Sequence, residues 1–384
     1  MVKSKVEVCE YMFIDEITYL DKIFELEKKK KDLENINITN VSNWNPSYSY
    51  KTYMEKYIQL NYQNDIFDYT YTYDLTKKYR AQIMEKLCVQ NPLNSMCLLN
   101  SSGTSTILNT INFLKMHNYH KLGILTPSYF SVEQSCKICN FPCEKIALQY
   151  SRDKYCIPFQ YILDHHFDVL WLTSPAYSTG ISFDDSQINI IKKLISEKIL
   201  IIADESLALP NQMLLSKIPI SNYFFSICSP HKPLFINKIK FSALICPKKN
   251  DDFLEQWIDI LSGSLLYSNL VAIQHFLSDN FIECVYATQQ WYKNTINRVN
   301  NIMQYFPNIH IQCNLDEISP YKTIYLESAK REMMDIENIK TLINKDYVSY
   351  IPIKFNEYTG FRVNLSLDPE DLTNALYRIL NFYA

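Results

Sequence analysis

Short apolar runs alternating with helix-patterned stretches most narrow what this chain can become. Leu122–Thr126, Val169–Thr173 and Ile199–Ala203 are brief, uncharged and apolar on nearly every residue. A strand buried on both faces reads that way, because side chains on each side of its pleat meet protein rather than water. Ser131–Cys139 and Gln187–Lys198 lie between these runs with apolar residues at helical spacing. Parallel strands need a crossover of that length, so the pattern predicts an α/β sheet flanked by helices. Tyr223–Cys228 and Ser242–Cys246 extend the series, and Cys143–Leu148 reads as a further strand.

The pattern changes after about Asp251. Long helical stretches run to Tyr305 and stop at Pro307. Strands (Thr323–Glu327, Phe361–Ser366) then mix with helices (Asp335–Lys345, Pro369–Phe382). Pro369 suits a first helical turn, where its missing N–H would be unbonded anyway, and Asp368 stands before it. The expected organisation has three parts. Residues 1–65 form an N-terminal arm and part of a small domain; 66–262 form a large α/β domain with a mostly parallel sheet of the seven-stranded type; 263–384 form an interdomain helix and a smaller α+β domain.

Charge and cysteine usage exclude several partners. Lys plus Arg is 38 and Asp plus Glu is 41, a net charge of −3. No excess of positive charge recruits nucleic acid or an anionic membrane. Lys28–Lys31 follows acidic residues and reads as a solvated helix face. No uncharged apolar run approaches about 18 residues, so no membrane span is expected. Eleven cysteines, an odd count, together with an acidic N-terminus (Glu7, Glu10, Asp15, Glu16), predict reduced thiols and a cytoplasmic address. Cys136, Cys139 and Cys143 have ligand-like spacing, but no second pair or nearby histidines complete a set. Core thiols, and no metal, are expected there.

Only five glycines occur in 384 residues. That removes the P-loop and the G-x-G-x-x-G turn, and it makes each remaining glycine a place where a side chain is expected not to fit. Ligands of open α/β sheets bind beyond the carboxyl ends of the strands, so the segments following each run carry the functional signal. Four stand out. Ser101–Thr106 opens a helical pattern, and its hydroxyls and free N–H groups suit an anion, although the same residues cap ordinary helices. Ser174–Gly180 and Asp204-Glu205 each follow a strand. The last is Ser226–Lys232, with Lys240 beyond it.

In this order and at these separations the segments resemble the fold-type I pyridoxal-phosphate enzymes, and more narrowly the class I/II aminotransferases. The resemblance runs from the tyrosine-rich stretch Tyr69–Arg80 to Arg362. It implies pyridoxal 5'-phosphate as cofactor. Lys232 would form the Schiff base and later move the Cα proton. Asp204 would keep the pyridine nitrogen protonated. Ser102, Gly103 and Thr104 would hold the phosphate, helped by Ser229, and Tyr129 would stack on the ring. Arg362, within Gly360–Asn364, would bind the substrate α-carboxylate, because a guanidinium fork matches two oxygens; the bland alternative is a strand-edge salt bridge. The resemblance also implies a homodimer with shared active sites, Tyr71 or its neighbour Tyr69 reaching across to the partner, and a second crossing segment around Ser268 and Asn269. The implied partners are an amino acid and a keto acid.

The pattern is departed from at three points. Tyr177 stands where the family carries asparagine, with Ser178 in place of the following proline, and Leu207 replaces a tyrosine. The usual hydrogen-bond donors to the cofactor's phenolic oxygen are therefore missing, and the Tyr177 hydroxyl is the expected substitute. Lys240 replaces the phosphate-binding arginine, which keeps the charge and loses the fork. The expected activity is transamination of an α-amino acid. The alternatives are a pyridoxal-phosphate lyase, cyclase or oxidase, and a catalytically silent protein of the same fold. Trp44, Asn45 and Tyr48 are candidate pocket residues, with ordinary packing as the equal alternative.

Overall fold

A computed structural model describes residues 13–14, 17–60, 72–151, 154–248, 265–307, 311–312, 317–326, 332–355 and 358–384. Seven strands form the large sheet in the order Ser95–Asn100, Ser242–Pro247, Phe224–Cys228, Leu200–Asp204, Val169–Thr173, Leu122–Thr126, Cys143–Ala147. Ser242–Pro247 runs antiparallel to both its neighbours, and the remaining pairs are parallel. The expected mostly parallel α/β sheet is thus present. No expectation covered Ser95–Asn100, which leads into the Ser101 loop.

The apolar runs have the predicted cause. Along Leu200–Asp204, Leu200 and Ile202 enter one core while Ile201 and Ala203 enter the other. Ile107, Ile111 and Phe113 of the helix Gly103–Met116 fill the first face, together with Val132 and Cys136 of Phe130–Cys139. Ile188, Ile191 and Leu194 of Asp185–Ser196 fill the second. Every side chain along the strand is withdrawn from water, at roughly 25 cal/mol per Å² of apolar surface.

A second sheet is antiparallel, with the order Phe13–Ile14, Pro352–Phe355, Tyr358–Asn364, Tyr321–Leu326, Ile311–Gln312. N-terminal residues belong to this part of the molecule: Phe13–Ile14 forms its edge, and Thr39–Asn40 pairs with Val348–Ser349. The helix Asn280–Met303 packs against Tyr48–Glu55 and against the last helix, Pro369–Tyr383. Asp368 caps that last helix, accepting from the N–H groups of Glu370 at 3.0 Å and Asp371 at 3.3 Å. The helical pattern expected from Asp251 divides into Tyr267–Leu277 and Asn280–Met303; residues 249–264 lie outside the described set.

Gly180 shows why a scarce residue is kept. Its φ of +69° is left-handed, and a Cβ there would collide with the Ser319 side chain and approach the Tyr321 carbonyl oxygen to 2.6 Å. The left-handed backbone alone costs a side-chain-bearing residue about 1–2 kcal/mol, and the collision adds to it. Gly180→Ala should therefore lose more than about 2 kcal/mol in urea unfolding. Gly103→Ala is the control: its Cβ would meet nothing closer than 3.4 Å, so its unfolding midpoint should stay near that of the parent.

Candidate active site

Lys232 follows the Phe224–Cys228 strand and opens the short turn Lys232–Leu234. Its N–H donates to the Ser229 carbonyl at 3.0 Å, and the Leu234 N–H donates to that of His231 at 3.2 Å. This tight backbone aims the side chain back over the sheet end. The Nζ lies 4.8 Å from the centroid of the Tyr129 ring. Burial lowers the amine's pKa from the ordinary lysine value; the Asp204 charge pulls it back up and the Arg362 charge pushes it further down. A desolvated amine loses its proton more readily, which is what a nucleophilic lysine needs.

Tyr129 stands at the start of the helix Phe130–Cys139, just beyond the Leu122–Thr126 strand. Its ring lies 5.5 Å from Tyr177, which is 3% exposed, and 6.4 Å from Trp44. Tyr177 is thus brought beside the ring that faces Lys232. Leu207 is buried and lines a small cavity with Pro175, Ala176 and Tyr321.

Asp204 is the last residue of its strand, one position further than the apolar run suggests. It is buried, and its Oδ1 accepts from the Ser206 N–H at 3.1 Å. Ser102 caps the helix Gly103–Met116, its Oγ accepting from the Ser105 N–H at 3.2 Å. Gly103 and Thr104 then supply the first helical N–H groups, which have no carbonyl of their own helix to bond. A Cβ at Gly103 would project towards the hydroxyls of Ser229, 3.4 Å away, and Ser206, 3.6 Å away. The Ser229 Oγ donates to the Ser206 Oγ at 3.4 Å. Free N–H groups, the positive end of a helix and two hydroxyls converge on one cradle, the chemistry of a phosphate site.

Arg362 lies in a strand paired on both sides, away from any sheet edge. It is 1% exposed, and its Nη2 donates to the Ser42 carbonyl at 2.6 Å. The guanidinium carbon sits 4.5 Å from the Trp44 ring centroid and 4.6 Å from that of Tyr321. Ser42 is held in return: its Oγ donates to the Arg362 carbonyl and accepts the Ile351 N–H. Opposite Arg362 across the sheet, Thr323 donates to the Ser178 carbonyl at 2.9 Å, which ties the second sheet to the Tyr177 turn.

The remaining candidates divide. The Asn269 amide donates to the carbonyls of Ser101 at 3.2 Å and Lys240 at 2.6 Å. It braces the Ser101 and Lys240 loops of its own chain. That brace ties the Lys240 backbone to the Ser101 loop. Tyr71 and Tyr69 lie outside the described residues. Among the described residues no cluster of three or more His, Cys, Asp or Glu side chains could hold a metal, and Cys136, Cys139 and Cys143 carry free thiols. No helix among the described residues is long and apolar enough to cross a membrane.

Sequence reasoning missed Ser206, Ser42 and the frame beneath the site. Glu205 is fully buried. Its carboxylate accepts the N–H groups of Leu214 and Leu215 and the Ser226 hydroxyl. Burial outweighs these bonds and raises its pKa to about 7. Two buried histidines behave oppositely: burial lowers His231 to about 3 and His275 to about 4, with Lys86 adding to the second.

These shifts set an acid dependence. The histidines' folded pKa values lie below the ordinary 6.5, so their contribution is present above pH 6.5 and is lost as pH falls through 4 and 3. Glu205 is raised above the ordinary 4.5, so its contribution is complete below pH 4.5 and is lost as pH rises through about 7. Between these limits each histidine removes up to about 1.4 kcal/mol per pH unit on acidification, while Glu205 returns about as much. Urea unfolding across pH 6 to 5 should therefore show a net loss of about 1.4 kcal/mol per unit, and Glu205→Gln should roughly double that slope.

The assembled side chains fit pyridoxal phosphate. The Gly103 cradle is open towards two hydroxyls, an aromatic ring faces the lysine, and a buried carboxylate lies within electrostatic reach of that lysine. Solved structures agree at the level of fold. A methionine aminotransferase of Escherichia coli, YbdL, superposes with a TM-score of 0.72 at 14% identity, covering 95% of this chain and 97% of its own. The chain has the aminotransferase fold. A double mutant of the Thermus thermophilus aspartate aminotransferase gives 0.71 at 10% identity, with 96% of each chain covered. A pyridoxal-phosphate-bound C-S lyase of Staphylococcus hominis gives 0.67 at 14%, covering 92% of this chain and 95% of its own. The sequence itself matches no family model and no curated protein.

Proposed function

We propose that this chain is a pyridoxal-phosphate-dependent aminotransferase of an α-amino acid. The observation that carries the reading is the Lys232 amine, desolvated, facing the Tyr129 ring with Asp204 and Arg362 both in electrostatic reach. When bound, the cofactor supplies an electron sink for the pair left on the substrate Cα. The rest falls to the chain. Gly103, Thr104, Ser102, Ser229 and Ser206 hold the phosphate, with Lys240 nearby. Asp204 keeps a proton on the pyridine nitrogen. Tyr129 would cover a face of the ring, and Tyr177 would supply a donor for the phenolic oxygen. Arg362 grips the α-carboxylate, which fixes Cα within reach of Lys232. The Lys232 Nζ would hold the cofactor until the substrate amine displaces it, and the freed amine would then take the proton from Cα. The chain acts as a homodimer, with Tyr71 completing the partner's site, in the cytoplasm.

The C-S lyase neighbour supports a second reading, elimination at the β carbon on the same fold. Incubation with the cofactor, borohydride reduction and peptide mapping test the site: the label should fall on Lys232. Amino acids then separate the reactions. Keto acid released one-for-one with the amine form of the cofactor marks transamination, and ammonia marks elimination. Label spread over surface lysines, with no spectral change, would remove both.

A further inference from the structure

Behind Lys232 lies a buried polar chain that the reaction does not use. His231 Nε2 is 3.1 Å from His275 Nδ1, and His275 Nε2 is 3.7 Å from the Cys284 sulfur. Cys284 donates to the Tyr57 carbonyl at 3.2 Å. His231 and Cys284 are fully buried, and His275 is 3% exposed. The rings of Phe241 and Phe281 stand edge-on to His231 at 5.9 and 5.4 Å. No water or ion is needed to complete the series, which runs from the residue before Lys232 to the N-terminal arm.

Hydrogen-bond accounting sets its direction. Cys284 has one proton and gives it to Tyr57, so its sulfur can only accept from His275. His275 Nε2 must then carry a proton, which leaves Nδ1 bare as an acceptor for His231 Nε2–H. His231 Nδ1, which has no partner among the described residues, is then a bare lone pair. The reverse order would bury an unbonded N–H there and would demand two uses of the single Cys284 proton. Both rings are neutral, in agreement with their burial. The backbone of His231 is bound as firmly: its carbonyl accepts from Leu234 and Ile236, at 3.2 Å each.

We propose that His275 is a positioning residue for Lys232, holding the lysine turn in the desolvated site through a one-way hydrogen bond from His231. The helix Tyr267–Leu277 would then brace two loops at once, since its Asn269 ties the Ser101 and Lys240 backbones. This rests on Lys232 being the reactive lysine, but the hydrogen-bond order does not. Loosening the anchor should let water reach Nζ. The amine's titration would then move up towards the ordinary lysine value, against the Asp204, Arg362 and Tyr129 surroundings it now has.

Two measurements test it without turnover. Long-range proton–nitrogen correlation spectra of histidine-labelled parent protein should show His231 as a neutral Nε2–H tautomer. A neutral Nδ1–H tautomer would overturn the order. Reductive methylation by formaldehyde and cyanoborohydride, carried out before cofactor is added and read by peptide mass, gives the pH profile of Lys232. His275→Leu should raise its midpoint by about one unit, roughly tenfold slower labelling at fixed pH. His275→Asn, whose Oδ1 can accept from His231, should restore the parent profile. An unchanged midpoint in a folded His275→Leu protein would overturn the proposal. Should His275→Leu fail to fold, Cys284→Ala removes the far acceptor instead: a raised midpoint supports the proposal, and an unchanged one overturns it. A Lys232 that titrates as described yet takes no cofactor would count against the enzyme reading alone.

Discussion

Lys232→Ala should bind pyridoxal phosphate without becoming attached to it, and should lose turnover by at least about 10⁴-fold. The size follows from two roles ending at one nitrogen. In the proposed function the amine that holds the cofactor is also the base for the Cα proton, and removal of a positioned general base alone costs about 10² to 10⁴. The cradle of Gly103, Ser206 and Ser229 makes no use of the Lys232 side chain, and two of its three members come from other loops, so reversible binding should survive. Reduction with borohydride should then leave no label at position 232, while equilibrium dialysis still retains the cofactor. Folding should be little affected, because the deleted amine is desolvated and lies in the field of Arg362, both of which disfavour its charged form; near-ultraviolet circular dichroism checks this. Adding methylamine or ethylamine should recover part of the activity, as a small amine can enter the space left behind. Full activity in Lys232→Ala would assign the chemistry to another lysine.

Much of this was legible from local pattern. Strands buried on both faces announce themselves as unbroken apolar runs, and their ends direct the eye to Asp204, Tyr129 and Lys232. Arg362 was legible by resemblance, and its surroundings were not. Ser42 and Trp44 reach it from more than 300 positions away, and no spacing encodes that contact. Ser206 was overlooked for a different reason. A serine two residues beyond an aspartate is common, and only the approach of the Gly103 helix shows what its hydroxyl faces. Nothing in the sequence around His231 marks it as part of a buried polar chain. Its burial depends on a helix that arrives 44 residues later. What the chain conceals is the set of side-chain contacts made after the sheets have closed.

Arg362→Leu should weaken amino-acid binding to the cofactor-loaded protein by about 2–5 kcal/mol, roughly 30-fold to several thousandfold in Kd, with little change in cofactor affinity. The guanidinium is buried between two rings and fixed through Nη2. A carboxylate arriving there meets a donor set already oriented and shielded from water, so its loss is not made good by solvent. Arg362→Lys should fall between, since it keeps a charge and loses the planar fork and the stacking. A lower melting temperature is also expected in both, because the guanidinium packs between Trp44 and Tyr321 and bonds the Ser42 carbonyl. Spectral titration with substrate separates this from the binding loss. Trp44 sharpens the test. If its ring acts by holding the guanidinium, Trp44→Leu should weaken binding by about 0.5–2 kcal/mol in the parent and by almost nothing in an Arg362→Leu background. Equal losses in both backgrounds would mean that Trp44 touches the substrate directly. The Arg362 pocket would then select the side chain as well as the carboxylate.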